Sequence, residues 1–272
     1  MGVIAGTGGN RRREPWLVPT AAVAVLLAVA AVVASMLVGR DDRPAAEAPA
    51  SPSPSPAAQS PSPTGGPPPT APAFEYQALW PFPDAAAVAA WQAQHRAGGA
   101  QPWHLDPERT ALGFTTGYLG FTELDTVVSA TVEGDEAWVA VGRTVQGGPP
   151  AVAAEVHLVR HGTGEDAPWE VVGTRDSTLT LTTPAYGSTA VSPLTVGGEV
   201  TGVDESLRVQ VRQLGRDEPL GESCCLPAGG ERTPWSVTVP FEGATGPALT
   251  VVVSTGGHAA EVERFAVTGL RA

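Results

Sequence analysis

Residues 21–39 read AAVAVLLAVAAVVASMLVG, nineteen positions interrupted only by the hydroxyl of Ser35. A run of that length just spans a hydrocarbon layer about 30 Å thick. Arg11, Arg12, Arg13 and Trp16 precede it, and Arg40 and Arg43 follow. The leading Arg cluster, ahead of a far longer acidic remainder, predicts residues 1–15 as a cytoplasmic tail and 16–39 as a single transmembrane helix or signal anchor. Everything beyond is then extracytoplasmic, so the expected location is the cell membrane, single-pass. A cleavable signal peptide is the competing reading, with Val32, Val33 and Ala34 as a small-residue cleavage site. The run is long for a signal segment and continues through Met36, Leu37 and Val38, which favours the anchor. No Cys stands at its end, which excludes a lipid-modified terminus.

Residues 40–73 form the next constraint. The stretch DDRPAAEAPASPSPSPAAQSPSPTGGPPPTAPA alternates Ser with Pro and carries almost no apolar bulk, so it cannot pack a core and reads as a disordered or polyproline tether. At about 3.1 Å per residue such a tether reaches roughly 100 Å. Its hydroxyls suit O-linked sugars, and a plain spacer is an equal reading. About 200 residues then remain for packed structure, enough for two domains of ordinary size. All 16 basic residues of the chain are Arg. From Phe74 onward there are 24 Asp and Glu against 11 Arg, and a surface with that balance repels phosphate backbones, so nucleic acid is not an expected partner.

Within 74–178 the pattern predicts an α+β domain, with helices covering an antiparallel sheet. DAAAVAAWQAQHRAGG has Asp84 as N-cap and Gly98 as its stop, and HLDPERTALGFTTGYLGF has Asp106 ahead of Pro107 at the first helical position. Ala111, Phe114, Tyr118 and Phe121 make an apolar stripe beside Leu112 and Leu119. Strands are expected at 126–132, 137–143, 151–160 and 169–173, with a turn at 133–135. Within 179–272 no helical period occurs. Six strands are expected, at 194–200, 207–214, 222–226, 235–241, 248–254 and 262–270, half-buried and forming an all-β sandwich. Leu207, Val209 and Val211 alternate with Arg208, Gln210 and Arg212, and Trp235, Val237, Val239 and Phe241 alternate with Ser236 and Thr238.

The opening TTPAYGSTAVSPLTVGGEV, followed by LRVQVRQL and TPWSVTVPFEG, resembles the bacterial spore-germination immunoglobulin-like domain family. Its members typically show a Pro-x-x-Gly opening, a Ser-Pro-Leu-x-Val-x-Gly first strand and a Phe-or-Trp-x-x-x-Val-Pro-Phe strand. Pro184 to Gly187, Ser192 to Gly198 and Trp235 to Phe241 match these in order. The resemblance covers residues 179–272. It implies an immunoglobulin-like fold in an exported, often membrane-tethered envelope protein, and brings no catalytic residue with it.

The remaining residues point away from chemistry. His157 and His161 in HLVRH are four apart on an expected strand, roughly 13 Å along it, too far to share an ion with ligand distances of about 2 Å. His95, His104 and His258 are scattered. No Gly-x-Ser-x-Gly elbow occurs, and GTGGN at Gly6 lacks the Lys of a phosphate loop. Asp135 with Glu136, and Glu165 with Asp166, fall in expected hairpin turns, where solvated charge is the ordinary state. Trp91, Trp138, Trp169 and Trp235 occupy periodic positions and read as core, whereas Trp80 and Trp103 flank Pro-containing loops and stay open as a ligand platform or a lid. No metal or cofactor is expected, and no enzyme. The leading functional expectation is a membrane-anchored envelope protein binding a protein or cell-wall partner. A carbohydrate-binding (peptidoglycan) module is the alternative, and a cell-wall hydrolase is third.

Cys224 and Cys225 stand side by side and are the only two cysteines. Neighbours on a regular strand point to opposite faces, so joining them requires a distorted backbone. Three states stay open: a vicinal disulfide ring, two buried thiols, or bridges to another chain.

Overall fold

The computed structural model describes residues 74–272, except 100, 176 and 257–259, and except the side chains of 203–205. The expected tail, membrane helix and linker lie outside the described residues. Among the described residues no helix is long and apolar enough to cross a membrane.

Helix α1, Ala85–Gly98, starts where the Asp84 carboxylate accepts the Ala87 N–H at 2.8 Å. It stops one residue later than expected: Gly99, at φ +73, supplies the left-handed cap and donates to the His95 carbonyl. Helix α2, Pro107–Leu112, is capped by Asp106 and runs into a wider π-type turn, Gly113–Tyr118. The hydroxyls of Thr115 and Thr116 back-bond to the carbonyls of Ala111 and Leu112, competing with the backbone ladder where the helix widens. Strands β1 (Thr126–Glu133), β2 (Glu136–Arg143), β3 (Ala151–Arg160) and β4 (Trp169–Arg175) pair antiparallel in chain order. Ala111 and Phe114 from the helical stripe are fully buried against Val139, Val156, Leu158 and Val171 of this sheet.

The second sheet departs from the expected six strands. The first two are one continuous strand, β5 (Leu194–Arg212), and the next two are another, β6 (Gly221–Val239); β7 (Ala248–Thr255) and β8 (Arg264–Arg271) complete the order β6-β5-β7-β8. The stretches taken as loops stay paired, Gly202 with Gly230, Glu205 with Ala228 and Ser206 with Pro227. Register shifts at these points bend the ribbon instead of ending it. Their effect shows in the parity of the buried positions: Leu194, Val196 and Val200 in the first half, Leu207, Val209 and Val211 in the second. Both halves feed one core with Leu179, Leu249, Val251, Val253 and Leu270. Residues 178–183 add to the outer edge of the first half of β5, through Thr180 N–H to Glu199 O at 2.9 Å and Thr182 N–H to Gly197 O at 3.0 Å. Residues 187–190 run parallel to β8, with Gly187 bonded to Gly269 and Ala190 to Arg271.

The molecule is thus mostly β, two antiparallel sheets with few helices. Strands β7 and β8 are buried on both faces, not half-buried as the sandwich reading had them. Val252, Phe265 and Val267 turn away from the second core and enter the first, packing with Leu79, Leu124 and Trp169. Thr174 on β4 accepts the Val267 N–H at 2.8 Å. By their contacts the described residues belong to one compact unit.

Candidate functional site

The outward face of the second sheet is covered only in part. Over β8 and β7 the segment after the π turn closes it: the Phe121 ring sits 5.4 Å from Phe265, and the Tyr118 hydroxyl donates to Thr250. Arg212, expected on a solvated face, is only 8 % exposed, because its guanidinium donates to the carbonyls of Tyr118 and Asp217 and to Gln210. Beyond that cover, β5 and the edge strand β6 come out into a cleft of about 320 Å³.

The cleft's floor is a row across the strands. Arg208 pairs with Ser254 on β7, and on its other side the register slips between Leu207 and Val209, so that Cys224 and Cys225 together oppose it. These cysteines form a bulge on β6 in which their sulfurs are joined as a disulfide. Cys225 holds φ +69, the left-handed region that side chains other than glycine seldom take. Both residues are exposed and line the cleft. One step along, Glu222 accepts from Arg208 at 3.2 Å and from Gln210 at 2.6 Å, tying the floor's polar groups together. The wall is Leu119, Phe121, Leu124 and Val262, with the carboxylates of Glu123 and Glu261 at its rim. The Glu123 carboxylate accepts the Glu261 N–H at 3.3 Å and links the two loops that form this wall. Ser254 lines the cleft on the Arg208 side of the sheet, whereas Thr255, opposite Leu207, turns its side chain toward the second core.

The other residues singled out in the sequence are dispersed. His157 and His161 have separate surroundings: His157 stacks on Trp138 at 3.8 Å with its Nε2 3.4 Å from Glu136, whereas His161 stacks on Phe74 at 3.9 Å. Trp138 is not core; it is half-buried between the His157 ring and the Arg175 guanidinium, 4.0 Å above it. Trp91, Trp169 and Trp235 are buried. Trp80 and Trp103 stack on each other at 5.5 Å. Glu136 is the first residue of β2 and accepts the Tyr76 hydroxyl at 2.9 Å, which raises that hydroxyl's pKa. Burial lowers the pKa of His157, outweighing the opposite pull of Glu136. Asp166 is held below the usual carboxylate range, chiefly by its hydrogen bonds from Arg96. His258 lies outside the described residues.

Two features had no counterpart in the sequence reading. Glu170 is fully buried in β4, with one carboxylate oxygen accepting the Phe82 N–H at 3.2 Å and the other without a partner among the described residues; burial pushes its pKa well up. A second cleft, about 310 Å³, lies between Tyr76, His157, Tyr186 and Val267, and burial pushes the Tyr186 hydroxyl up to about 12. The signal for the covered sheet face was present: ALTVVVST has three consecutive Val and no charged residue instead of apolar and charged positions in alternation, the pattern of a strand buried on both sides.

No protein-family model, curated protein or solved structure matches this chain. Among the described residues no group of three or more His, Cys, Asp or Glu is placed to hold a metal ion. What the Arg208 cleft offers chemically is recognition: a half-polar, half-apolar concavity with hydrogen-bonding groups fixed by strands.

Proposed function

We propose that the chain is a non-enzymatic bacterial envelope protein, anchored in the membrane through residues 16–39, whose extracytoplasmic residues bind a protein or cell-wall partner. The observation that carries this reading is the cleft beside Arg208. Its volume falls within the range of roughly 300–1,000 Å³ usual for ligand sites, and apolar walls with a few fixed polar groups are the ordinary make-up of such sites. The strands that carry its floor are rigid, being hydrogen-bonded on both sides at β5.

The fold belongs to the same proposal: an α+β domain at 74–178 followed by an immunoglobulin-like sandwich at 179–272, of the spore-germination type. The pairing supports it. The opening segment is shared between two sheet edges, residues 178–183 beside the first half of β5 and 187–190 parallel to the last strand. The bent β5–β6 ribbon then supplies two strand pairs, one on each side of the core.

The test is cross-linking in native membranes with a photoreactive residue at Ser206, in the cleft, or at Val152, which is 49 % exposed on the other sheet. Partner capture from position 206 and none from 152 is the expected result. Equal capture from both, or none from either, refutes the cleft as the partner site.

A further inference from the structure

We infer that the cleft between β6 and the 119–124 loop binds an uncharged saccharide, with the Cys224–Cys225 disulfide as the flat apolar surface against which the C–H face of a sugar ring packs. This rests on the reading of the cleft as the partner site and names what that site takes.

Charge removes several ligand classes. Arg208 is the only cation among the described lining residues, and Glu222 already holds it. Glu123 and Glu261 place carboxylates at the rim. A phosphate, a uronate or a nucleic acid meets net negative potential and no uncommitted donor cation. An extended peptide joining the free edge of β6 is opposed by the bulge itself. Cys225 at φ +69 breaks the regular row of backbone donors and acceptors that strand addition requires, and such bulges protect edges.

What remains is chemistry suited to a polyol. Ser206 and Ser254 bring hydroxyls that both donate and accept, which is what sugar hydroxyls demand. Both serines stand on the Arg208 face of the sheet, Ser254 opposite Arg208 on β7 and Ser206 two residues before it on β5. Apolar surface is present on both sides of the cleft, Phe121 and Val262 on the loop side and the disulfide on the strand side. The ring closed by the two sulfurs and the intervening peptide is rigid and polarisable, so packing on it costs little conformational entropy.

The experiment uses the full chain in a detergent that has no sugar head group, titrated calorimetrically with tri-N-acetylchitotriose and with maltotriose. Saturable binding of at least one trisaccharide is expected. Ser254→Ala removes a floor hydroxyl and leaves the core behind it intact, so this variant should fold about as stably as the parent and bind about fivefold to tenfold more weakly. The double variant Cys224→Ala/Cys225→Ala should lose binding more severely. Trisaccharide binding left unchanged by both variants overturns the proposal. So does the absence of any heat from either sugar while the residue at 206 still captures a protein; in that case the cleft remains the partner site and the ligand class is wrong. No heat together with no capture from 206 overturns both readings at once.

Discussion

His104 lies on the short turn Pro102–Leu105, 3 % exposed, with its ring 3.6 Å from Trp103, 4.9 Å from Phe82 and 5.3 Å from Trp91. Its Nε2 is 3.2 Å from the Gln101 side-chain oxygen and its Nδ1 has no partner among the described residues. Burial lowers its pKa from 6.5 to about 4. Between those values the unfolded chain binds a proton that the folded one refuses, so stability present above pH 6.5 is lost as pH falls through the window. At about 1.4 kcal/mol per pH unit, the move from pH 7 to pH 5 removes about 2 kcal/mol through this residue alone. His104→Phe keeps a ring in the nest and deletes the titration. Urea unfolding of residues 74–272, followed by tryptophan fluorescence at both pH values, measures the effect. The variant should lose about 2 kcal/mol less than the parent between pH 7 and pH 5. A fixed packing penalty from the larger ring cancels in that difference. His157 and His161, also lowered by burial, leave a residual loss common to both proteins. Equal pH dependence of parent and variant would show that His104 is not held neutral by its surroundings.

Glu170 has the opposite sign. Its carboxyl is protonated more readily in the fold than in the unfolded chain, so stability falls as pH rises above the ordinary carboxylate range. Glu170→Gln should be more stable than the parent at pH 7, by a margin that shrinks toward pH 5; a margin independent of pH sinks the assignment. Gly113→Ala should cost about 1–3 kcal/mol, although alanine favours helix, because its Cβ would stand 2.7 Å from the Trp80 ring. A melting temperature at or above the parent's contradicts that packing. Protein exported from its native envelope and alkylated without reductant should show a monomer mass lacking two hydrogens and no adduct. Two added alkyl groups, or a dimer mass, mean that Cys224 and Cys225 are not joined to each other.

Much of the strand plan could be read directly from the chain, and for a local reason. Alternation in EAWVAVGR and AVAAEVHLVR, with turn residues between, places β2 and β3 within a residue of their observed ends, since the side-chain period of a strand is fixed by the backbone. Asp84 and Asp106 likewise mark both helix starts, because a cap acts on N–H groups two or three residues away. The apolar run at 21–39 and the Ser-Pro tract lie outside the described residues, and their reading rests on composition alone. Tertiary structure decided the rest. Whether residues 201–206 turn or stay paired depends on 227–234, some thirty positions distant, and Gly and Pro there mark bulges as readily as loops. Arg212 looks solvated in its own strand and becomes buried only because the Tyr118 turn lies over it. The cleft has the same origin. Ser206, Arg208, Cys224, Ser254 and Phe121 come from four separate stretches, and their meeting follows from where the cover over one sheet face stops, a boundary set by packing between distant segments and by no local pattern.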